Sequence, residues 1–207
     1  MPNFDYERKY TGLIAGTDEA GRGPWVGPVV AAAVCFPDLK IPQELSEQLN
    51  DSKKLSSKKR EKLFEMIYES GALVGIGQAS AAEIDDINIL QASFLAMRRA
   101  LEQIEERGFE IDQVLIDGNR RPNGWKWNCE EIIHGDALSL SISAASIIAK
   151  VTRDRLMCAL AEEYPGYDWE KNAGYGTAAH IAALKEKGVT PYHRKSYAPI
   201  AAILKGA

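Results

Sequence analysis

The sequence predicts a mixed α/β fold, a sheet flanked by helices with a helical extension at the C-terminal end. Three observations carry that prediction. Short apolar runs rich in β-branched residues, bounded by Gly and Pro, fill much of the first eighty positions. Helical stripes then alternate with short strands, and beyond about residue 140 only helical patterns remain. A chain of 207 residues with 45% hydrophobic content suits one globular domain with a small appendage. The expected division is a sheet-bearing domain over 1–163 and a helical segment over 164–207 packed on it.

Taken in order, residues 10–18 read as a strand ended by Gly16 and Asp18. Trp25 to Phe36, rich in Val and Ala, reads as a second strand pairing back on the first. After a Pro-punctuated loop, Ser56 or Ser57 caps a helix running to about Ser70. Leu73 to Ala79 is a third strand. From Ile84 to Arg107, apolar residues at Ile87, Leu90, Phe94, Met97, Leu101 and Ile104 trace one face of a helix. Val114 to Ile116 and Glu130 to Ile133 supply two more short strands, five in all. Ser143 to Glu163 is a helix with a small-residue face at Ala144, Ala145 and Ala149. A last helix spans about Thr177 to Lys187, stopped by Gly188 and Pro191.

Bulk features exclude several classes. No apolar run approaches membrane-spanning length, and Met1 to Tyr10 is too polar for a secretory signal. Three cysteines without a CxxC pair suit reduced thiols in a cytoplasmic protein, with small buried hydrophobes as their reading. The formal net charge of −4 argues against a general nucleic-acid binder. Cations are clustered, however, at Lys53, Lys54, Lys58, Lys59, Arg60 and Lys62, and again at His193, Arg194 and Lys195. Fields within a Debye length of about 8–10 Å matter more than the total.

Gly21-Arg22-Gly23 after a strand invites a dinucleotide-binding reading, but the next glycine is Gly27 and the segment after it suits a strand instead of a helix. No GxxxxGK[ST] or GxSxG is present, and His134, His180 and His193 lack metal-ligand spacing.

Carboxylates fare better. Asp18 and Glu19 end one strand, Asp117 ends another, and Asp136 lies in a turn before a helix. Acids at the ends of buried strands are costly unless something binds them. Magnesium and manganese prefer carboxylate oxygens, and two such ions about 3.5–4 Å apart can clamp an in-line displacement at phosphorus. Neighbours on a regular strand face opposite ways, so Asp18 and Glu19 converge only if the chain bends, which Gly21 and Gly23 allow. The competing account is turn chemistry for Asp117 and helix N-capping for Asp136. Gly21 and Gly23 leave backbone amides open to a ligand, and Arg22 adds a donor for phosphate or sugar. Lys53 and Lys54 either hold a phosphate or mark a solvated helix entrance. Tyr175 either stacks on a sugar or base or belongs to the core. Trp125 and Trp127 read as packing.

These residues resemble ribonuclease HII over nearly the whole chain, from about Ile14 to Ile200. The resemblance rests on Asp18 to Pro24, Asp51-Ser52-Lys53-Lys54-Leu55, Asn88-Ile89-Leu90, Ile116 to Asn119, Gly135-Asp136, Ser143 to Lys150, Thr152-Arg153-Asp154, Gly174 to Thr177 and His193-Arg194. It implies an RNase H-like sheet and an endonuclease. Its partners would be RNA–DNA hybrids and DNA duplexes containing ribonucleotides, which it would cut 5′ of a single embedded ribonucleotide. It implies a two-metal Mn2+ or Mg2+ site on Asp18, Glu19, Asp117 and Asp136. Gly21-Arg22-Gly23 would sense the ribose 2′-hydroxyl, and Tyr175 would pack on the neighbouring deoxyribose. A monomer with no membrane partner is expected.

Two departures stand out. The family usually has Lys at the place of His134 and His-Lys at Asn172-Ala173. The roughly ten residues before the first strand leave no room for the extra N-terminal domain of ribonuclease HIII, and no clamp-binding tail is evident after Leu204. Asp154 is read as structural. The alternatives are a non-catalytic hybrid-binding module and another nuclease of the same superfold, such as a junction resolvase.

Overall fold

The computed structural model describes residues 1–49 and 55–206. Five strands, β1 (Ile14–Ala20), β2 (Val29–Cys35), β3 (Leu73–Ala79), β4 (Gln113–Asp117) and β5 (Asn128–Ile132), form one mixed sheet in the order β3-β2-β1-β4-β5. β1, β2 and β3 pair antiparallel, whereas β4 and β5 run parallel to β1. Between and after them come α1 (Gln43–Gln48), α2 (Ser57–Glu69), α3 (Ala81–Glu105), α4 (Leu140–Glu163), α5 (Trp169–Asn172), α6 (Ala178–Lys187) and α7 (Ala198–Leu204).

Every residue of β2 is buried, because both faces of the sheet are covered. Strand alternation divides its side chains: Val29, Ala31, Ala33 and Cys35 pack toward α3, while Ala32 and Val34 pack toward α2 and α4. Small residues let α4 approach β1 closely. A Cβ at Gly16 would lie 2.4 Å from the backbone of Ser141 and Ile142, so only glycine fits there.

Several expected boundaries shift. β2 begins at Val29, not Trp25, because the Trp25–Pro28 segment leaves the sheet for the C-terminal region. Trp25 N–H donates to Gly174 O, Gly27 N–H donates to Tyr192 O, and Val26 bridges to His193. Pro24 and Pro28 cannot donate to a ladder. α3 starts at a Ser80–Glu83 capping box and is broken at Asn88 (φ 67°, ψ 164°). The Asn88 side-chain oxygen accepts from the Leu90 and Gln91 amides and caps the second segment. α4 opens at Leu140, three residues earlier than read, with Ser139 as its cap. The buried Glu7 carboxylate accepts from Ser139 Oγ (2.6 Å) and the Ser141 amide (3.0 Å), anchoring the N-terminal segment to the helix start.

The short helices α1, α5 and α7 have no counterpart in the sequence reading. Cys35 is buried and Cys129 half-buried, but Cys158 is exposed, contrary to the reading of all three as buried hydrophobes. Trp125 and Trp127 do pack, edge to face, beside Phe94. Among the described residues no helix is long and apolar enough to cross a membrane.

Candidate active site

β1 and β4 are adjacent parallel strands in which Thr17 pairs with Ile116. The next residue on each is an acid, so Asp18 and Asp117 stand side by side at the carboxyl ends of the two central strands. Open α/β sheets bind ligands at such an end. A cleft of about 520 Å3 opens there, lined by Asp18, Glu19 and Asp117, by Gly21-Arg22-Gly23 and Tyr175, and by Arg60, Ser146, Lys150 and Arg153. The expected bend between Asp18 and Glu19 is absent, since β1 stays regular through Ala20. β4 stops opposite Asp18, so both acids reach a cleft at the open end of the sheet.

Asp18 is only 8% exposed. Burial, together with the charges of Glu19 and Asp117, pushes its carboxyl well above the usual carboxylate range. Hydrogen bonds from Ser146 and from the Glu19 amide (2.7 Å) oppose that shift without cancelling it. Glu19 meets Arg22 at 3.2 Å. Asp136 occupies a short 3-10 turn, Gly135–Ala137, and its amide donates to Asp117 Oδ1 at 3.4 Å. It does not cap α4, which Ser139 does. Among the described residues, no three His, Cys, Asp or Glu side chains already stand close enough together to hold an ion as they lie.

Of the two glycines beside the acids, Gly21 is required by its backbone and Gly23 leaves room for a side chain of the cleft. Gly21 has φ +96°, and a Cβ there would overlap Arg153 Nε at 1.9 Å. At Gly23 a Cβ would press the Tyr175 ring at 3.2 Å. Tyr175 is 52% exposed, so the core-tyrosine reading fails and its ring forms a wall of the cleft. Lys53 and Lys54, with Asp51 and Ser52, lie outside the described residues.

Sequence reasoning gave no role to two buried arginines that frame this loop. Arg153 donates to the carbonyls of Val26, Pro28 and Ala173 at 2.9–3.2 Å. Arg194 donates to the carbonyls of Gly21 (2.6 Å), Arg22 (2.9 Å) and Gly27 (3.0 Å) and to the Tyr197 hydroxyl (2.9 Å). Burial lowers both guanidinium pKa values, Arg153 to about 10, which leaves Arg153 charged at neutral pH. For Arg153 a usable signal existed: Ser146, Lys150 and Arg153, spaced four and three apart, share one face of their helix. Asp154 sits away from the cleft lining, held by Lys150 (2.6 Å) and Arg60 (3.4 Å), in line with a structural role. Asn172 braces its own turn, donating to Tyr167 O and accepting from the Gly174 amide, each at 2.8 Å.

An RNase H-like sheet with Asp18, Glu19 and Asp117 in one cleft at the ends of its central strands places the protein among the ribonucleases H, a class of metal-dependent nucleases. The chain belongs to the ribonuclease HII family, whose sequence model matches residues 15–200. It is 51% identical over 201 residues to ribonuclease HII of Paramagnetospirillum magneticum, covering 97% of this chain and 98% of the relative. It is likewise 51% identical over 205 residues to that of Jannaschia sp., covering 99% of each. Among solved structures, the ribonuclease H2 from Pyrococcus horikoshii matches with a TM-score of 0.71 at 26% identity, over 94% of this chain and 98% of that one. A ribonuclease HII from Archaeoglobus fulgidus, solved in complex with PCNA, matches with a TM-score of 0.65 at 25% identity, over 87% and 91%. The protein is therefore an endoribonuclease of the ribonuclease H class, and the family's activity is endonucleolytic cleavage of RNA–DNA hybrids.

Proposed function

We propose that this chain cuts DNA duplexes 5′ of single embedded ribonucleotides as well as the RNA strand of RNA–DNA hybrids, leaving 3′-hydroxyl and 5′-phosphate ends. The observation that carries this reading is the pairing of Asp18 and Asp117 on neighbouring strand ends, with Glu19 in the same cleft and the Asp18 carboxyl destabilised by its neighbours. The donor set is entirely carboxylate, which fits Mg2+ or Mn2+. A cation would relieve the repulsion that now raises the Asp18 pKa.

In this reading Asp18, Glu19, Asp117 and Asp136 hold two divalent ions. Once bound, such ions supply an activated water for in-line attack on phosphorus and stabilise the leaving 3′ oxygen. Backbone groups of Gly21-Arg22-Gly23 meet the ribose 2′-hydroxyl, the group that marks RNA, while Tyr175 packs on the adjoining deoxyribose. Arg60 and Lys150 place positive charge on the cleft wall for the phosphate backbone, a part that Lys53 and Lys54 would share. The catalytic unit is 1–163, with 164–207 packed against it, and the enzyme acts as a monomer in the cytoplasm.

The test is a DNA duplex carrying one ribonucleotide, incubated with Mg2+, with Mn2+ or with a chelator, beside an all-DNA duplex and an RNA–DNA hybrid. A single metal-dependent nick 5′ of the ribonucleotide, with all-DNA left intact, is expected. Cleavage of all-DNA would point to another nuclease of the superfold, and metal-independent binding without cleavage to a hybrid-binding module.

A further inference from the structure

Tyr175 stands in a tight turn before α6, and its carbonyl accepts from the Thr177 amide (2.8 Å) and lies 3.0 Å from His180 Nδ1. The His180 ring continues into a buried chain of polar groups. Its Nε2 lies 3.2 Å from Trp169 Nε1 and 3.2 Å from His193 Nε2. An indole N–H can only donate, so His180 Nε2 is the bare nitrogen and Nδ1 carries the hydrogen. On His193, Nδ1 accepts from the Thr190 amide (2.9 Å), which leaves its hydrogen on Nε2, directed at His180. This arrangement of protons leaves both rings neutral and sets no two N–H groups against each other, the indole and His193 sharing the one lone pair of His180 Nε2.

We propose that His180 and His193 are a positioning pair that fixes the turn carrying Tyr175, and so sets where the Tyr175 ring stands over Gly23. The inference rests on Tyr175 being a substrate contact, as proposed above. The pair is 0% and 1% exposed, and among the described residues no carboxylate faces it: Thr190 sets its amide (2.9 Å) and its hydroxyl (2.8 Å) against His193 Nδ1. Tyr167 presents an edge to both rings and gives its hydroxyl to Gly188 O. Trp169 meets both rings, and Trp25 leans on His180 at 5.9 Å with Gly176 against its indole. The Arg194 guanidinium, next in the chain to His193, is turned to Gly21, Arg22, Gly27 and Tyr197. A second proton on either ring would set two N–H groups against each other or against the indole. The carbonyl of Tyr175 would then lose its anchor while the acids on β1 and β4 stay as they are.

The consequence is a fault in substrate grip with the chemical step intact. Steady-state cleavage of the single-ribonucleotide duplex is measured for His193→Phe, His193→Gln, Tyr175→Ala and the His193→Phe/Tyr175→Ala double variant, with thermal melts as a check on folding. His193→Phe should raise KM about tenfold with kcat little changed. His193→Gln keeps a donor toward His180 and should restore most of the loss. The double variant should be no worse than Tyr175→Ala, because the histidine acts only through the tyrosine. Additive losses, or a fall in kcat at unchanged KM, would overturn the proposal. An unchanged KM in Tyr175→Ala would instead overturn the reading beneath it, before any histidine is altered. Should His193→Phe not fold, duplex binding to the full chain by fluorescence anisotropy between pH 4 and 7 replaces it. Affinity should then fall more steeply toward low pH in the parent than in Tyr175→Ala, where only the cleft acids still titrate, whereas parallel curves would sink the idea.

Discussion

Asp18 and Arg194 are both charged side chains with almost no exposure, 8% and 0%, set at opposite sides of one short loop. Their surroundings differ in kind. Arg194 is enclosed by three carbonyls and a hydroxyl, fixed dipoles that stand in for water. Asp18 is crowded by two other acids, with hydrogen bonds from Ser146 and a backbone amide that do not offset them. A buried charge whose hydrogen bonds are complete makes a rigid frame. A buried charge raised in energy by like neighbours makes a place where a cation is needed. The loop between them, with Gly21 obligate at its start, is therefore held from behind by cations and fronts on acids.

Asp18→Asn is expected to break the contrast most strongly. Cleavage should fall on the order of a thousandfold or more, since a ligand of the reacting centre is lost. Metal-free stability should rise, because a repelled carboxylate has been replaced by a neutral amide. Activity assays and melts in chelator check both. Retained activity, or a lower melting temperature, would mean that Asp18 is an ordinary buried acid.

Arg194→Met tests the other side. Four acceptors lose their donor at once, and the expected cost is about 3–5 kcal/mol of stability, read by denaturant unfolding. A cost within about 1 kcal/mol would show that water replaces the guanidinium and that the frame is not rigid.

The pH dependence of metal-free stability sharpens the comparison through its sign. His193 is held neutral, with a pKa pushed down to about 4 by burial and by His180. The unfolded chain therefore takes up the proton first, and stability falls as pH drops from about 6.5 to 4, by on the order of 2–3 kcal/mol. Asp18 acts oppositely: its raised pKa makes the folded state the better proton binder, so it costs stability as pH rises above about 4. Melting curves across pH 4–8 should show a smaller acid-side fall in His193→Gln, the remainder coming from His180, whose pKa burial also lowers, and should gain stability at neutral pH in Asp18→Asn.

The smallest expected effect lies at Ala173, whose carbonyl anchors Arg153 and whose φ of 48° is unfavourable for any residue with a Cβ. Ala173→Gly should stabilise the chain by about 1 kcal/mol, measured as a rise in melting temperature. No change would mean that the turn is already relaxed.

Much of the sheet was legible in advance. β3 matches its expected span, Leu73–Ala79, because Gly71 and the Ser80 cap mark both ends. β2 was overextended because Trp25 and Val26 have strand-like side chains, and only distant partners reveal that their backbone bonds go to Gly174 and His193. The break at Asn88 was hidden for a related reason: the apolar stripe runs through it unbroken, while the side-chain cap that permits it is local geometry. Acids beside glycine advertised the site, whereas Arg153 and Arg194 resembled surface cations until their acceptors were seen.

The sequence by itself determined that short strands would end in acids and that glycines would lie beside them, since composition and periodicity are local properties of a chain. Only the tertiary structure decided that Asp18 and Asp117 become neighbours, that two arginines close around carbonyls over a hundred residues away, and that two histidines share one proton pattern behind Tyr175. Register between strands and the burial of charge depend on what packs against what, and no segment carries that information alone.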